Sequence, residues 1–127
     1  MRYLLDTQVY LWYLADSRKL PAKARDRIAG AEEVFVSAAS VWEAAIKIAI
    51  GKLDADLEAV TSGIAASGFL ELAISARHAM AVAKLPPHHS DPFDRLLVAQ
   101  AMHEPLHLLT SDSQLEPYTD LVIPLSR

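Results

Sequence analysis

Short apolar runs alternate with longer helix-like segments along the chain. The short runs have the length of buried strands and cover residues 3–5, 34–36, 69–74, 106–109 and, at an edge, 121–123. The longer segments predict helices from their length, capping residues and stop signals, over residues 8–14, 21–29, 38–50, 54–67, 76–83 and 92–103. Strands that alternate with helices predict a mostly parallel sheet covered on both faces.

The predicted fold is therefore α/β. Three layers, α/β/α, would enclose a short, mostly parallel sheet of four to five strands. A chain of 127 residues is of ordinary size for one domain, and no linker, repeat or low-complexity segment divides it. Apolar residues make up 52% of the chain and charged residues 22%, which suits a compact core. We expect a single domain over residues 1–127.

Four acids, Asp6, Glu43, Asp94 and Asp112, each lie inside or just beyond an apolar run. An acid in such a place is unfavourable unless something positive meets it. Ligands of parallel α/β sheets gather beyond the carboxyl ends of the strands, which predicts that three of these acids share one edge. Asp94 would reach that edge only if the Pro-rich loop at residues 85–90 brings it there. Together the four acids would form an oxygen-rich site for a hard divalent cation.

Three of the acids also have a local structural explanation. Asp6 and Asp112 can each cap a helix that follows them. Asp91, Pro92 and Asp94 have the order of a good helix start, and the helix dipole would stabilise an acid at the third position. Taken one at a time, these explanations suffice; they leave the joint placement of the acids unexplained.

Glu43 is the acid whose surroundings most favour a functional role. It can form an ion pair with Lys47 one turn later, in the favourable order. The helix around it nevertheless offers little polar surface, because its neighbours are apolar: Val41, Trp42, Ala44, Ala45, Ile46 and Ile48. We expect this helix to be largely buried and Glu43 to face a cleft or a cation.

Several other chemistries are excluded or disfavoured. There is no cysteine, which excludes disulfides and thiolate ligands and fits a reducing cytoplasm. A formal net charge of −4 argues against nucleic-acid binding by bulk charge alone, although a bound metal would invert the local field. No segment predicts a membrane span or a secretory signal. Zinc spacings and phosphate-binding glycine loops are absent, and His88 and His89 are expected to be solvated.

Four blocks of the sequence resemble PIN-domain ribonucleases, in the same order and over nearly the whole chain. They are LLDTQVYLW at 4–12, SAASVWEAAIKIAIGKL at 37–53, LPPHHSDPFDRLLVAQA at 85–101 and LLTSD at 108–112. The third block is the most specific. Within that family the chain is most similar to the VapC-type toxins of bacterial and archaeal toxin–antitoxin pairs.

The resemblance implies a PIN-like fold and a metal-dependent endoribonuclease. Asp6, Glu43 and Asp94 match the acids that hold the catalytic metal, and Asp112 matches a fourth, more variable one. Thr7 and Thr110 match hydroxyl positions near the site. Hydrolysis of an RNA phosphodiester with Mg²⁺ or Mn²⁺ fits such a cluster. The resemblance also implies a small VapB-type antitoxin partner, a homodimer and a cytoplasmic location.

Other functions remain open at this point. A PIN-type nuclease with an RNA-processing role and no antitoxin would carry the same motifs. A phosphotransferase using Asp6 as nucleophile is disfavoured because position 8 is Gln8, where such enzymes usually have a second acid. A non-catalytic interaction or receiver domain is disfavoured because no adjacent acids follow the first strand.

Overall fold

Five parallel strands form one sheet in this computed structural model, which describes residues 1–127. The strand order is β3-β2-β1-β4-β5. The strands are β1 Arg2–Leu5, β2 Glu33–Ser37, β3 Leu70–Leu72, β4 His107–Thr110 and β5 Val122–Pro124. Because β1 is the central strand, the residue that follows it lies in the middle of the carboxyl edge. The predicted short parallel α/β sheet is confirmed.

Helices connect the strands and cover both faces of the sheet. They are α1 Thr7–Leu14, α2 Ala22–Ala29, α3 Ala38–Ala49, α4 Leu57–Ala66, α5 Ala76–Val82 and α6 Pro92–His103, with a 3₁₀ helix over Ser113–Tyr118. Five of the α-helices begin at a side chain that accepts a backbone N–H, which satisfies part of the free helix end: Asp6, Ser37, Asp56, Ser75 and Asp91. None of these helices has the length and apolar character needed to cross a membrane.

The predicted elements occur with small shifts in their bounds. Helix α4 begins three residues later than predicted, because Asp56 is its N-cap and accepts the backbone N–H of Glu58 at 3.1 Å. Strand β4 begins one residue later than predicted. The backbone N–H of Leu106 instead donates to the carbonyl of Ala101, which closes the end of α6.

Successive strand residues enter two separate apolar cores, as the alternation of side chains along a strand requires. Tyr3 and Leu5 of β1 pack with Leu109 of β4 against α1, α2 and α4. Leu4 and Leu108 pack on the opposite face, against α6. The sheet is therefore the middle layer of three, as predicted.

Helices α1 and α4 approach each other closely at a glycine. A Cβ atom on Gly63 would lie 2.8 Å from Leu14 Cδ2 and 2.9 Å from the hydroxyl oxygen of Tyr10. That hydroxyl donates to the backbone oxygen of Val60 at 2.6 Å, and burial raises the pKa of Tyr10 to about 12. The absence of a side chain at position 63 permits this contact and fixes α4 against the helix that follows Asp6.

One face of α3 is more exposed than its apolar sequence predicts. Trp42 and Ile46 of α3 and Ile50, its C-cap, are spaced one turn apart and are 57%, 38% and 59% exposed. The Trp42 ring contacts Phe93 edge-on, with 4.9 Å between ring centroids. The expectation of a largely buried helix is wrong for this face, because an apolar sequence does not specify which side of a helix is covered. Glu43, on another face, is buried.

Candidate metal centre

The four acids predicted from the sequence surround one polar pocket at the carboxyl edge of the sheet. The pocket has a volume of about 200 Å³, and no hydrophobic residue lines it. Its lining residues are Asp6, Thr7, Gln8, Glu43, Lys47, Asp91, Asp94, Ser111 and Asp112. The loop before α6 therefore brings Asp94 to the same edge as the other three acids.

Asp6 lies directly beyond β1 and is almost completely buried. Its Oδ1 accepts the backbone N–H of Val9 at 2.7 Å, which caps α1. Its Oδ2 accepts hydrogen bonds from the Thr110 hydroxyl at 2.6 Å and from the Ser111 backbone N–H at 2.9 Å. Burial raises the pKa of Asp6, and the hydrogen bonds only partly counter it. Asp6 is thus both a helix cap and part of the pocket wall.

Glu43 extends into the pocket from the second turn of α3. Its Oε2 lies 2.9 Å from Lys47 Nζ, the ion pair that the sequence predicted. Its Oε1 is buried and has no hydrogen-bond partner, a costly state for a carboxylate oxygen. The hydrogen bond with Glu43, supported by the charges of Asp91 and Asp94, raises the pKa of Lys47 although burial lowers it. The pocket therefore contains one ammonium group among its carboxylates.

Asp94 occupies the first turn of α6 with its side chain toward the pocket. The N-cap is Asp91, as predicted, and its Oδ1 accepts the backbone N–H groups of Phe93 and Asp94 at 2.8 and 3.0 Å. Burial raises the pKa of Asp94 to about 7, and the charges of Asp91, Asp6 and Glu43 contribute to the rise. Burial and the neighbouring negative charges both favour the protonated form of Asp94.

Asp112 lies beyond β4 and divides its two oxygens between two partners. Oδ1 accepts the backbone N–H of Gln114 at 2.9 Å at the start of the 3₁₀ helix. Oδ2 lies 2.9 Å from His89 Nε2. The expectation that His89 is solvated is therefore wrong. Its loop folds back onto the pocket, and the contact joins residues 23 positions apart, which leaves no local pattern in the sequence.

Hydroxyl groups complete the inner wall of the pocket. Thr110 donates to Asp6 as described, and Thr7, whose Oγ1 donates to Ser40 Oγ at 2.9 Å, also lines the pocket. Both threonines were expected near the site from the sequence blocks. Gln8 and Ser111 were missed, because a polar residue next to an acid forms no distinctive motif.

The donor set fits a hard divalent cation. Carboxylate and hydroxyl oxygens dominate the pocket, and such oxygens are the ligands that Mg²⁺ and Mn²⁺ prefer. Five acidic side chains and one ammonium group, that of Lys47, line the pocket, so negative charge is in excess. Burial is the main cause of the raised pKa of Asp94, and the charges of the neighbouring acids add to it. A cation in this pocket would neutralise that excess.

The sequence matches the family model of the PIN domain over residues 3–120. The chain belongs to the PIN-domain family. The resemblance of the four sequence blocks to this family is confirmed. No curated protein matches the sequence at a significant level.

Solved structures show the same fold over almost the whole length of this PIN domain. It is similar to a chain of VapBC2 from Rickettsia felis bound to a promoter DNA fragment, with 17% identity, TM-score 0.70 and coverage of 98% of this chain and 97% of that chain. DNA-bound VapBC from Salmonella typhimurium gives 15% identity, TM-score 0.71 and 98% coverage of both chains. VapBC-1 from nontypeable Haemophilus influenzae gives 20% identity, TM-score 0.70 and 100% coverage of both. At these identities the likeness concerns the fold.

Proposed function

We propose that this PIN domain is a metal-dependent endoribonuclease, and that residues 1–127 form one nuclease domain. The observation that carries the proposal is the convergence of four acids on a pocket with an unpaired carboxylate oxygen. Membership of the PIN family supports the same class of activity. RNA is the proposed substrate because the four sequence blocks resemble those of PIN-domain ribonucleases.

The proposed ligands of Mg²⁺ or Mn²⁺, and the proposed catalytic acids, are Asp6, Glu43, Asp94 and Asp112. When bound, such an ion supplies Lewis-acid stabilisation of charge on the phosphate and activation of a water nucleophile. The protein's own contribution is to hold the acids in place. Thr110 at the end of β4, Ser111 directly after it and Val9 in α1 donate hydrogen bonds that fix Asp6. Asp91 fixes the first turn of α6 and with it the position of Asp94.

Lys47 has a second proposed role in this pocket. Its ammonium group stays close to Glu43 and lies on the pocket wall. The raised pKa of Lys47 keeps it charged in the working range of a nuclease. It therefore provides a positive group that can contact a phosphate oxygen of an RNA strand, while the protein as a whole carries a net charge of −4.

We further propose that the protein is the toxin of a type II toxin–antitoxin pair. Similar structures include VapBC complexes and a toxin–antitoxin complex from Klebsiella pneumoniae, with 18% identity and TM-score 0.67. The proposed partner is a small VapB-type antitoxin, and the proposed oligomer is a homodimer. The apolar surface of α3 at Trp42 and Ile46 would suit a protein contact. This function places the protein in the cytoplasm, where its RNA substrate is found.

A cleavage assay with matched variants tests the nuclease. Purified protein, freed of any partner, is incubated with a mixed RNA pool and with single-stranded DNA, in Mg²⁺, in Mn²⁺ and in EDTA. We expect RNA cleavage that requires a metal and is lost in Asp94→Asn and Asp6→Asn. Asp26→Asn is the control, because it removes the same charge from an exposed position on α2. Full activity in EDTA, or in Asp94→Asn, would contradict the proposal.

Controlled expression in a bacterial host tests the toxin role. We expect growth arrest with the wild-type protein, no arrest with Asp94→Asn, and relief when a short neighbouring reading frame is expressed with it. Metal-dependent RNA cleavage without growth arrest would favour an RNA-processing nuclease instead. Partner binding without any cleavage would favour a non-catalytic domain.

A further inference from the structure

His89 joins the Pro-rich loop to the acidic pocket. Its side chain is only 15% exposed. Its Nε2 lies 2.9 Å from Asp112 Oδ2 and 4.0 Å from Asp94 Oδ2. These three side chains bring their potential ligand atoms within 4.8 Å of one another. This geometry allows two roles for His89: a nitrogen ligand to a metal, or a hydrogen-bond donor to an acid.

A backbone hydrogen bond decides between the two roles. The N–H of Asp91 donates to His89 Nδ1 at 3.1 Å. A backbone amide can only donate, so Nδ1 accepts through its lone pair and carries no hydrogen. The ring hydrogen is then on Nε2, which donates to Asp112 Oδ2 and has no lone pair left for a metal. His89 Nε2 is therefore a hydrogen-bond donor to Asp112.

The loop that carries His89 is itself held firmly. The backbone N–H of His89 donates to the hydroxyl of Tyr118 at 2.9 Å. Arg95, the residue after Asp94, donates to the same hydroxyl at 3.0 Å. It also donates to the backbone oxygens of Val82, before the loop, and of Leu85 and Pro86, within it. The position of the His89 ring is therefore set by the helix that carries Asp94 and by the 3₁₀ helix that follows Asp112.

We propose that His89 is a positioning residue for Asp112 and does not bind the metal. The inference rests on the proposed function, in which Asp112 is a metal ligand. The His89 Nε2–H fixes Oδ2 of Asp112, and the Gln114 N–H fixes Oδ1. Without His89, the Asp112 side chain, which is 34% exposed, could turn toward solvent. Hydrogen bonds that orient metal ligands typically change metal affinity or activity about 10- to 100-fold.

The position of the ring hydrogen can be measured directly. Long-range ¹H–¹⁵N spectra of protein labelled at histidine distinguish a ring that carries its hydrogen on Nε2 from one that carries it on Nδ1. Spectra of His89→Ala and His88→Ala assign the two loop signals. We expect the Nε2–H form of His89 with and without Mg²⁺, and a shifted Nε2 signal in Asp112→Ala. The inference would be overturned by a hydrogen on Nδ1, by loss of the Nε2 hydrogen when the ion is added, or by no response to Asp112→Ala.

Calorimetric titration with Mg²⁺ and Mn²⁺ measures the consequence. We expect His89→Ala to lower the affinity for both ions about equally, by about 10- to 100-fold. His89→Gln should recover part of this loss, because its amide N–H can reach the same Asp112 oxygen. His88→Ala is the matched control and should bind as the wild type does. The exposed His88 ring packs edge-on against Tyr118, with 5.0 Å between ring centroids.

Each result separates the inference from the proposed function. Unchanged affinity in His89→Ala would overturn the positioning role and leave the metal site intact. A selective loss of Mn²⁺ binding would identify a nitrogen ligand and also overturn the positioning role, since Mg²⁺ is a hard cation that takes oxygen ligands. If the wild-type protein binds neither ion, the proposed metal site fails, and the spectra alone decide whether His89 holds Asp112.

Discussion

Asp94→Asn should stabilise the metal-free protein at alkaline pH even though it should abolish activity. In the folded protein the pKa of Asp94 is about 7, against an ordinary value of 3.8. Burial is the main cause, followed by the charges of Asp91, Asp6 and Glu43. The folded state therefore binds a proton at this position more tightly than the unfolded chain does. The stability linked to that proton is fully present below pH 3.8 and is lost as the pH rises through about 7.

The size of the effect follows from the shift. One pKa unit corresponds to about 1.4 kcal/mol, so the ionised carboxylate lowers the free energy of unfolding by about 4 kcal/mol above pH 8. The side chain is 24% exposed, so solvent screening removes only part of this. Asparagine has a similar size and no close hydrogen bond to lose, because the His89 Nε2 that faces Asp94 is 4.0 Å away. We expect Asp94→Asn to raise the free energy of unfolding by about 3 to 4 kcal/mol near pH 8 and by almost nothing near pH 4.

Urea denaturation in EDTA across this pH range measures the difference between the two proteins. The exposed Asp26→Asn variant controls for the loss of one charge and should stay within about 0.5 kcal/mol of the wild type. Mg²⁺ at one hundred times its Kd should stabilise only the wild type, by about 2.7 kcal/mol. This prediction is wrong if Asp94→Asn is less stable than the wild type in EDTA near pH 8, or if the difference does not change with pH. Either result would mean that the ionised Asp94 carboxylate does not destabilise the folded protein.

Three further predictions address other parts of the molecule. Mg²⁺ affinity should fall as the pH decreases through about 7, because protons then compete for Asp94; calorimetry on either side of that pH would contradict this if the affinities are equal. Gly63→Ala should lower the free energy of unfolding by about 1 to 3 kcal/mol through overpacking. Thermal melts should show little change in the control Gly30→Ala, whose Cβ would meet only ordinary contact. Lys47→Met should destabilise the metal-free protein by about 1 to 3 kcal/mol by removing the partner of Glu43, and Lys47→Arg should restore most of the loss in urea denaturation.

The placement of the acids could be predicted because it follows from chain order and topology. Asp6 comes directly after a buried strand, and Asp112 comes shortly after another. In a parallel sheet both positions lie at the same edge, whatever the details of packing. Asp94 could be placed only conditionally, since its position depends on how the loop before α6 folds.

The contacts of that loop could not be predicted. The side chains of His89 and Asp112 meet across 23 positions of sequence, and Arg95 reaches the Tyr118 hydroxyl over the same separation. Such contacts depend on three-dimensional distances that hydrophobic periodicity does not encode. The exposed face of α3 is a similar case, because Trp42 is a large apolar residue of a type expected in the core and yet lies at the surface.

The structural and functional explanations of the acids turn out to be compatible, because a carboxylate has two oxygens. Asp112 caps the 3₁₀ helix with Oδ1 and meets His89 with Oδ2. Glu43 pairs with Lys47 through Oε2 and leaves Oε1 buried without a hydrogen-bond partner. The fold therefore uses part of each group's hydrogen-bonding capacity, while the acidic side chains of the pocket still outnumber its one ammonium group. For this reason an amide replacement, which keeps an accepting oxygen and removes the charge, separates the role in folding from the proposed role in metal binding, whereas alanine removes both together.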